Sequence, residues 1–139
     1  MAMADLSAHA KNVVQAFNDD DWDATRELIG GSTYNELGTR RSLAGADAII
    51  EALQGWKAAM PDARGTVTSA VESGQRVVLE VTWEGTQTGE MVTEQGTIPP
   101  SGKRQTTPAA FVFDFEGGKL VESRHYFDLL TFLRQIGAA

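Results

Sequence analysis

Residues 103–136 read KRQTTPAAFVFDFEGGKLVESRHYFDLLTFLRQI, and this stretch decides the fold. Over residues 103–115 apolar and polar side chains alternate with a period of two, the pattern of a strand with one buried face. Glu116-Gly117-Gly118 reads as a hairpin turn, because consecutive glycines supply the positive φ angles that tight hairpins require. A second strand covers residues 119–127. Beyond Phe127 the period changes: Leu129, Leu130, Phe132, Leu133 and Ile136 describe a short helix over residues 128–136, with Asp128 placed to cap its first turn. Two paired strands thus feed a short amphipathic helix.

The same alternation extends upstream. Residues 76–88 form a long strand with Val77, Leu79, Val81, Trp83 and Gln87 on one face and Val78, Glu80, Thr82, Glu84 and Thr86 on the other. Residues 64–72 precede it across a Ser73-Gly74 turn, and residues 89–100 form a loop stiffened by Pro99-Pro100. Before Pro61 the period is 3.6. Residues 5–18 carry Leu6, Ala10, Val13 and Phe17 in one stripe, with His9 as a boundary residue beside it. The run Asp19-Asp20-Asp21-Trp22-Asp23 caps a second short helix that stops at Gly30-Gly31. A divalent cation needs converging oxygens rather than an acidic run. Residues 32–37 are a short strand, followed by a loop holding Arg40-Arg41. The longest helix spans residues 45–60, with Ile49, Leu53, Trp56 and Met60 on one face, and ends at Pro61. Helices first and strands afterwards predict an α+β domain over residues 1–139. Its curved antiparallel sheet wraps the N-terminal helices as a cone, filled at the narrow end and open as a pocket at the wide end, with a short C-terminal helix.

Composition narrows the function. The chain has 139 residues and a net charge of −7 from 12 basic and 19 acidic residues, which disfavours nucleic acid and anionic membranes as partners. It has no cysteine, which removes disulfides, thiolate metal sites and cysteine nucleophiles. No apolar run approaches the ~18–20 residues of a membrane span, and Met1 to Lys11 lack the basic and apolar regions of an export signal. The expectation is a cytoplasmic protein. There is no phosphate-cradling glycine loop and no Gly-x-Ser-x-Gly elbow, so neither a nucleotide nor a metal cofactor is expected.

The chemistry-bearing residues gather near the end of the last strand: Arg124, His125, Tyr126 and Asp128. Alternation sets Arg124 and Tyr126 on one face and His125 and Phe127 on the other. Asp128 has two readings, helix cap or proton carrier. A carboxylate at the mouth of an apolar pocket is pushed up by desolvation, while a helix N-terminus favours its charged form. Trp83 and Gln87 form the opposite wall, Gln87 as a neutral donor and acceptor for a carbonyl or hydroxyl. Tyr34 and Asn35 add polar contacts, and Trp56 adds an aromatic surface.

In order along the chain, Gly45-Ala46-Asp47-Ala48-Ile49, Met60-Pro61-Asp62, Trp83-Glu84-Gly85-Thr86-Gln87-Thr88-Gly89, Ile98-Pro99-Pro100-Ser101-Gly102-Lys103, Gly118-Lys119-Leu120-Val121-Glu122, Tyr126-Phe127-Asp128 and Leu133-Arg134-Gln135-Ile136-Gly137 resemble the SnoaL-like polyketide cyclases of the NTF2-like superfamily. The resemblance implies dimers through the sheets, here through Val78, Glu80, Thr82 and Thr86. It implies aldol-type ring closure or isomerisation of an apolar carbonyl substrate, without metal or cofactor. Asp128 would act as acid and base, with Gln87 and Asn35 orienting carbonyls. Two departures accompany it. Many relatives carry histidine where Gln87 stands, so a second acid/base group would have to be His125. Arg124 replaces a large aromatic and would either pair with Asp128 or bind an anionic substrate group. Two alternatives stay open. One is a non-catalytic module that binds an apolar ligand. The other is an epoxide-hydrolase-like enzyme in which Asp128, Arg124 and Asp114 or Asp62 converge on one water.

Overall fold

The computed structural model describes residues 5–139; Met1 to Ala4, which open the stretch read for an export signal, lie outside the described residues. The elements are α1 (Leu6–Asn18), α2 (Trp22–Ile29), β1 (Thr33–Glu36), β2 (Arg41–Ala44), α3 (Ala46–Ala59), β3 (Arg64–Ser73), β4 (Arg76–Thr86), β5 (Met91–Thr93), β6 (Gly96–Ile98), β7 (Arg104–Glu116), β8 (Lys119–Phe127) and α4 (Leu129–Gln135). Six strands form one sheet in the order β2-β1-β8-β7-β4-β3, and β5 and β6 form a separate hairpin.

This is the expected α+β arrangement, with three corrections. The segment read as a loop with Arg40-Arg41 instead pairs with β1 as β2, Tyr34 lying opposite Leu43. The stretch read as a loop over residues 89–100 contains β5 and β6, with Met91 opposite Ile98. Three- and four-residue strands are too short for a period of two to stand out. The sheet is also not wholly antiparallel, since β1 runs parallel to β8, with Glu36 beside His125. That register, which no local pattern encodes, brings the front half of the chain to the site.

Each helix starts and stops for a local reason. The Asp5 carboxylate accepts from the Ala8 N–H at the start of α1, and Asp21 does the same for Ala24 at the start of α2. Gly30, at φ 51°, ends α2. Register shifts at Val67/Ser69 and at Asp114/Phe115 mark bulges that bend the sheet. Into its concavity α1 and α3 lower Leu6, Ala10, Val14, Ile49 and Ile50, which meet Val77, Leu79, Val81, Phe111 and Phe113. Burying each large apolar side chain is worth about 1.5–3 kcal/mol. A second cluster of Phe17, Ala59, Met60, Met91, Phe132 and Ile136 joins α1, α3, the small hairpin and α4. Among the described residues no helix is long and apolar enough to cross a membrane.

Two glycines permit close approaches. The Asn18 side chain clasps Gly65, donating to its carbonyl and accepting from its N–H, both at 2.8 Å. A Cβ on Gly65 would sit 2.6 Å from the Trp83 ring, so the missing side chain gives that indole its place. Gly89 donates its N–H to the Ala59 carbonyl at 3.0 Å, and a Cβ there would lie 2.0 Å from the Ala58 carbonyl oxygen. Because a backbone atom cannot swing aside, Gly89→Ala is expected to lower stability in urea denaturation by at least about 1–3 kcal/mol. An unchanged midpoint would mean that this loop is not seated on the end of α3.

Candidate active site

A cavity of about 80 Å³ opens between α1, α3, the sheet and α4. One water needs roughly 10–15 Å³, so the space admits several, or a small part of a larger ligand. Its walls are mainly apolar, with Val14, Phe17, Leu53, Met60, Phe111 and Phe132 among them. Leu53 and Trp56 are less covered than the core face of α3 because they look onto this space.

One polar wall is a chain of hydrogen bonds across four elements. Trp83 on β4 donates its indole N–H to His125 Nε2 at 3.0 Å. His125 Nδ1 lies 2.9 Å from the Tyr34 hydroxyl, and that hydroxyl donates to Glu36 Oε2 at 2.9 Å. The Trp56 indole N–H also donates to Oε2, at 3.0 Å. On the other oxygen, Oε1, Glu36 accepts from the Thr39 hydroxyl and from Arg41, whose Nη2 is 2.9 Å away. Tyr34, Glu36 and His125 are all buried, Glu36 completely.

Burial sets the charges. Desolvation is the largest influence on Glu36 and pushes its pKa up, yet hydrogen bonds from Thr39 and Trp56 and the charge and hydrogen bonds of Arg41 together hold it below the ordinary value. Desolvation raises the Tyr34 hydroxyl well above its usual value, helped by the neighbouring Glu36 charge. Desolvation pushes His125 down to about 4, against a smaller upward pull from Glu36. At neutral pH the imidazole is therefore uncharged. It lies flat against Phe111, with ring centroids 3.8 Å apart and planes at 3°.

A second polar chain reaches the cavity from α4. The Thr106 N–H donates to Gln135 Oε1 at 2.7 Å, and Gln135 Nε2 donates to Thr107 Oγ1 at 3.2 Å. Thr107 in turn donates to Gln105 Oε1 at 2.6 Å. This fixes the Gln105 amide with its NH₂ group towards the Met60 sulfur, 3.5 Å away. A thioether is a weak acceptor. Among the described residues, Gln105, only 2% exposed, therefore presents amide hydrogens that no protein oxygen takes.

The residues expected from sequence separate into two groups. Tyr34, Trp56, Trp83 and His125 line the cavity. Asp128, Gln87, Asn35, Arg124 and Tyr126 do not, and for each the reason is physical. Asp128 is exposed: its carboxylate accepts from the Leu130 and Thr131 N–H groups and from the Thr131 hydroxyl, capping α4. Those bonds, led by the Thr131 hydroxyl, lower its pKa, so it is a charged cap rather than a desolvated proton carrier. Gln87 is fully buried but clips the following loop, donating to Gly89 and Pro99 carbonyls and accepting from the Ser101 N–H. Asn35 accepts from the Ser42 hydroxyl at 2.8 Å on the outer side of β1. Arg124 pairs with Asp114 at 2.8 Å and with Glu122, not with Asp128. Tyr126 is 44% exposed. Alternation along β8 turns Arg124 and Tyr126 outward while His125 and Phe127 turn in.

Sequence reasoning missed Glu36, Gln105 and Thr107. The signal was spacing. Glu36 lies two residues from Tyr34, and Gln105 and Thr107 share parity with Phe111 and Phe113, so all three polar side chains stand on buried faces.

The sequence profile of the SnoaL-like polyketide cyclases matches residues 8–136. No curated protein matches the sequence. Among solved structures the chain is similar to IdmH from Streptomyces antibioticus, described as a proposed polyketide cyclase. Identity there is 24%, over 96% of this chain and 99% of that one, with a TM-score of 0.81. A Catenulispora acidiphila protein with a ketosteroid isomerase-like fold has 18% identity over 94% and 93% of the two chains, with a TM-score of 0.80. An NTF2-like protein from Burkholderia pseudomallei has 20% identity over 98% and 100%, with a TM-score of 0.78. The fold is NTF2-like.

The buried imidazole makes stability depend on pH. Between about 6.5 and about 4 the unfolded chain protonates this histidine while the folded one does not. Its contribution is therefore complete above pH 6.5 and is lost as pH falls towards 4. Glu36, held below its ordinary value of 4.5, adds its own loss as pH falls through 4.5. Urea denaturation is expected to show about 2 kcal/mol less stability at pH 5 than at pH 7 from this group, and His125→Gln should remove that part of the slope. An equal slope in the variant would mean that His125 is not buried neutral.

Proposed function

Because the chain belongs to the SnoaL-like polyketide cyclase family, we propose that it is a ring-closing or isomerising enzyme that moves a proton on an apolar substrate, with His125 as acid and base. The observation that carries this reading is an uncharged imidazole of fixed orientation in an apolar cavity, which Gln105 also lines with unclaimed amide hydrogens. The role that the family resemblance gave to Asp128 passes here to His125. The epoxide-hydrolase arrangement is disfavoured, because Asp128 caps α4, Arg124 pairs with Asp114 and Glu122, and neither lines the cavity.

The chemistry follows from the pKa. A histidine held near 4 is a weak base and, once protonated, a strong acid. It can remove a proton only from a carbon that is already acidified, so the substrate is a carbon acid flanked by two carbonyl groups. The proton moves to His125 Nε2 as the Trp83 N–H gives way, and the C–H electron pair becomes an enolate. Gln105 donates to the enolate oxygen, a contact strengthened by the low polarity of the site. In ring closure the enolate carbon bonds to a second carbonyl carbon of the same molecule, and the new alkoxide takes the proton back from the imidazolium. Return of the proton to a different carbon gives isomerisation instead.

A second reading is a binding module without turnover. One observation favours it: the Trp83 indole occupies the Nε2 lone pair. Hydrogen–deuterium exchange at the central carbon of an alkyl 1,3-diketone in D₂O, followed by proton NMR, separates the two. The catalytic reading predicts accelerated exchange, a loss of about 10²–10⁴-fold in His125→Asn, and an unchanged rate in Asp128→Asn with reduced thermal stability. Diketone binding without exchange would establish the binding module. Loss of exchange in Asp128→Asn alone would return the proton to the carboxylate.

A further inference from the structure

We propose that Glu36 is a positioning residue that, through Tyr34, fixes the tautomer of His125 so that Nε2 keeps its lone pair towards the cavity once a ligand has moved Trp83 aside. The inference rests on the acid/base reading of His125 for its purpose, but not for its test.

The directions of the hydrogen bonds are forced from both ends of the chain. Glu36 is ionised, so it only accepts. Its two oxygens receive Thr39 and Arg41 on one side and Trp56 and Tyr34 on the other. The Tyr34 proton is therefore committed to Glu36, and the Tyr34 oxygen faces His125 Nδ1 as an acceptor, 2.9 Å away. Nδ1 must then carry the ring proton, which leaves Nε2 bare. From the other end, an indole N–H can only donate, so Trp83 also demands a bare Nε2 at 3.0 Å. The two constraints agree. When a substrate takes the place of Trp83, only the one that begins at Glu36 remains. Free imidazole side chains prefer the proton on Nε2, the tautomer that could not act as a base on the cavity side. Glu36 is completely buried, so it exerts this control without touching a ligand. Arg41 lies against it and balances its charge.

The test replaces ligand displacement by mutation. Trp83→Phe removes the indole donor and leaves Glu36 as the sole constraint. The ¹⁵N shifts of the His125 ring are read at pH 7 by long-range ¹H–¹⁵N correlation, with a His9→Asn background to assign the two histidines. The expected result is a pyrrole-type Nδ1 and a pyridine-type Nε2 in the parent and in Trp83→Phe. The pattern should invert in the double variant Trp83→Phe/Glu36→Leu, in which no acceptor for the Tyr34 proton remains at position 36. Should that variant not fold, Trp83→Phe/Tyr34→Phe cuts the chain while leaving the Glu36–Arg41 pair in place, and inversion is again expected. Inversion in Trp83→Phe alone, or its absence when Tyr34 or Glu36 is also changed, overturns the proposal. The diketone exchange assay keeps the two readings apart. Tautomer control by Glu36 without any loss of exchange in His125→Asn would defeat the catalytic reading and leave the positioning one. The converse result would do the opposite.

Discussion

A carboxylate with no exposure to water must be matched by donors, because a buried charge left unpaired costs several kcal/mol. Glu36 meets that demand with four side chains from separate places in the chain: Arg41 on β2, Thr39 in the β1–β2 turn, Trp56 on α3 and Tyr34 on β1. The parallel pairing of β1 with β8 then sets His125 within reach of Tyr34. One acceptor thereby fixes where α3 lies against the sheet and which way a ring on β8 faces. An apolar core alone would tolerate small shifts among these elements; the carboxylate does not.

The cavity is apolar apart from two directed chains of hydrogen bonds, and they end differently. The first ends in a ring nitrogen whose lone pair is held towards Trp83. The second begins on α4 and ends in amide hydrogens offered to nothing stronger than a thioether. Low polarity around both makes each contact with a developing charge count for more than it would in water. Asp128 belongs to this account at one remove. By capping α4 it supports the helix that carries Gln135, and Gln135 aims Thr107 and hence Gln105. A residue thus serves a site from the surface by building the element that orients it.

The fold was readable because long strands and helices repeat. The alternation in residues 76–88 and 103–127 and the stripes of Leu6, Ala10 and Phe17 carry enough residues for their period to stand out. The short pairs β1–β2 and β5–β6 carry too few. Alternation also told correctly that His125 and Phe127 share a face and that Arg124 and Tyr126 share the other. The end of the strand was ambiguous: at Asp128 the period of two stops, and the local chemistry of a helix cap decides the direction instead. Gln87 misled for a related reason. It keeps the inward parity of β4, but the strand ends at Thr86, and the amide serves the loop beyond. Glu36 escaped notice because a lone glutamate in a four-residue strand looks like a solvated edge. Its parity with Tyr34 is the one local sign of the inward face; the pairing with β8 and the arrival of α3 complete its burial.

The ionisation of Glu36 is the point on which the hydrogen-bond directions, and through them the tautomer of His125, depend. A ¹³C-carboxyl titration of selectively labelled protein measures it directly. The account predicts that the Glu36 resonance stays at its ionised position as pH falls through 4.5, the ordinary glutamate value, and moves only below it. A midpoint at or above 4.5 would mean that the surrounding donors do not outweigh desolvation, and one above 7 that the buried carboxyl carries a proton at neutral pH, becomes a donor itself, and no longer dictates which nitrogen of the imidazole faces the cavity.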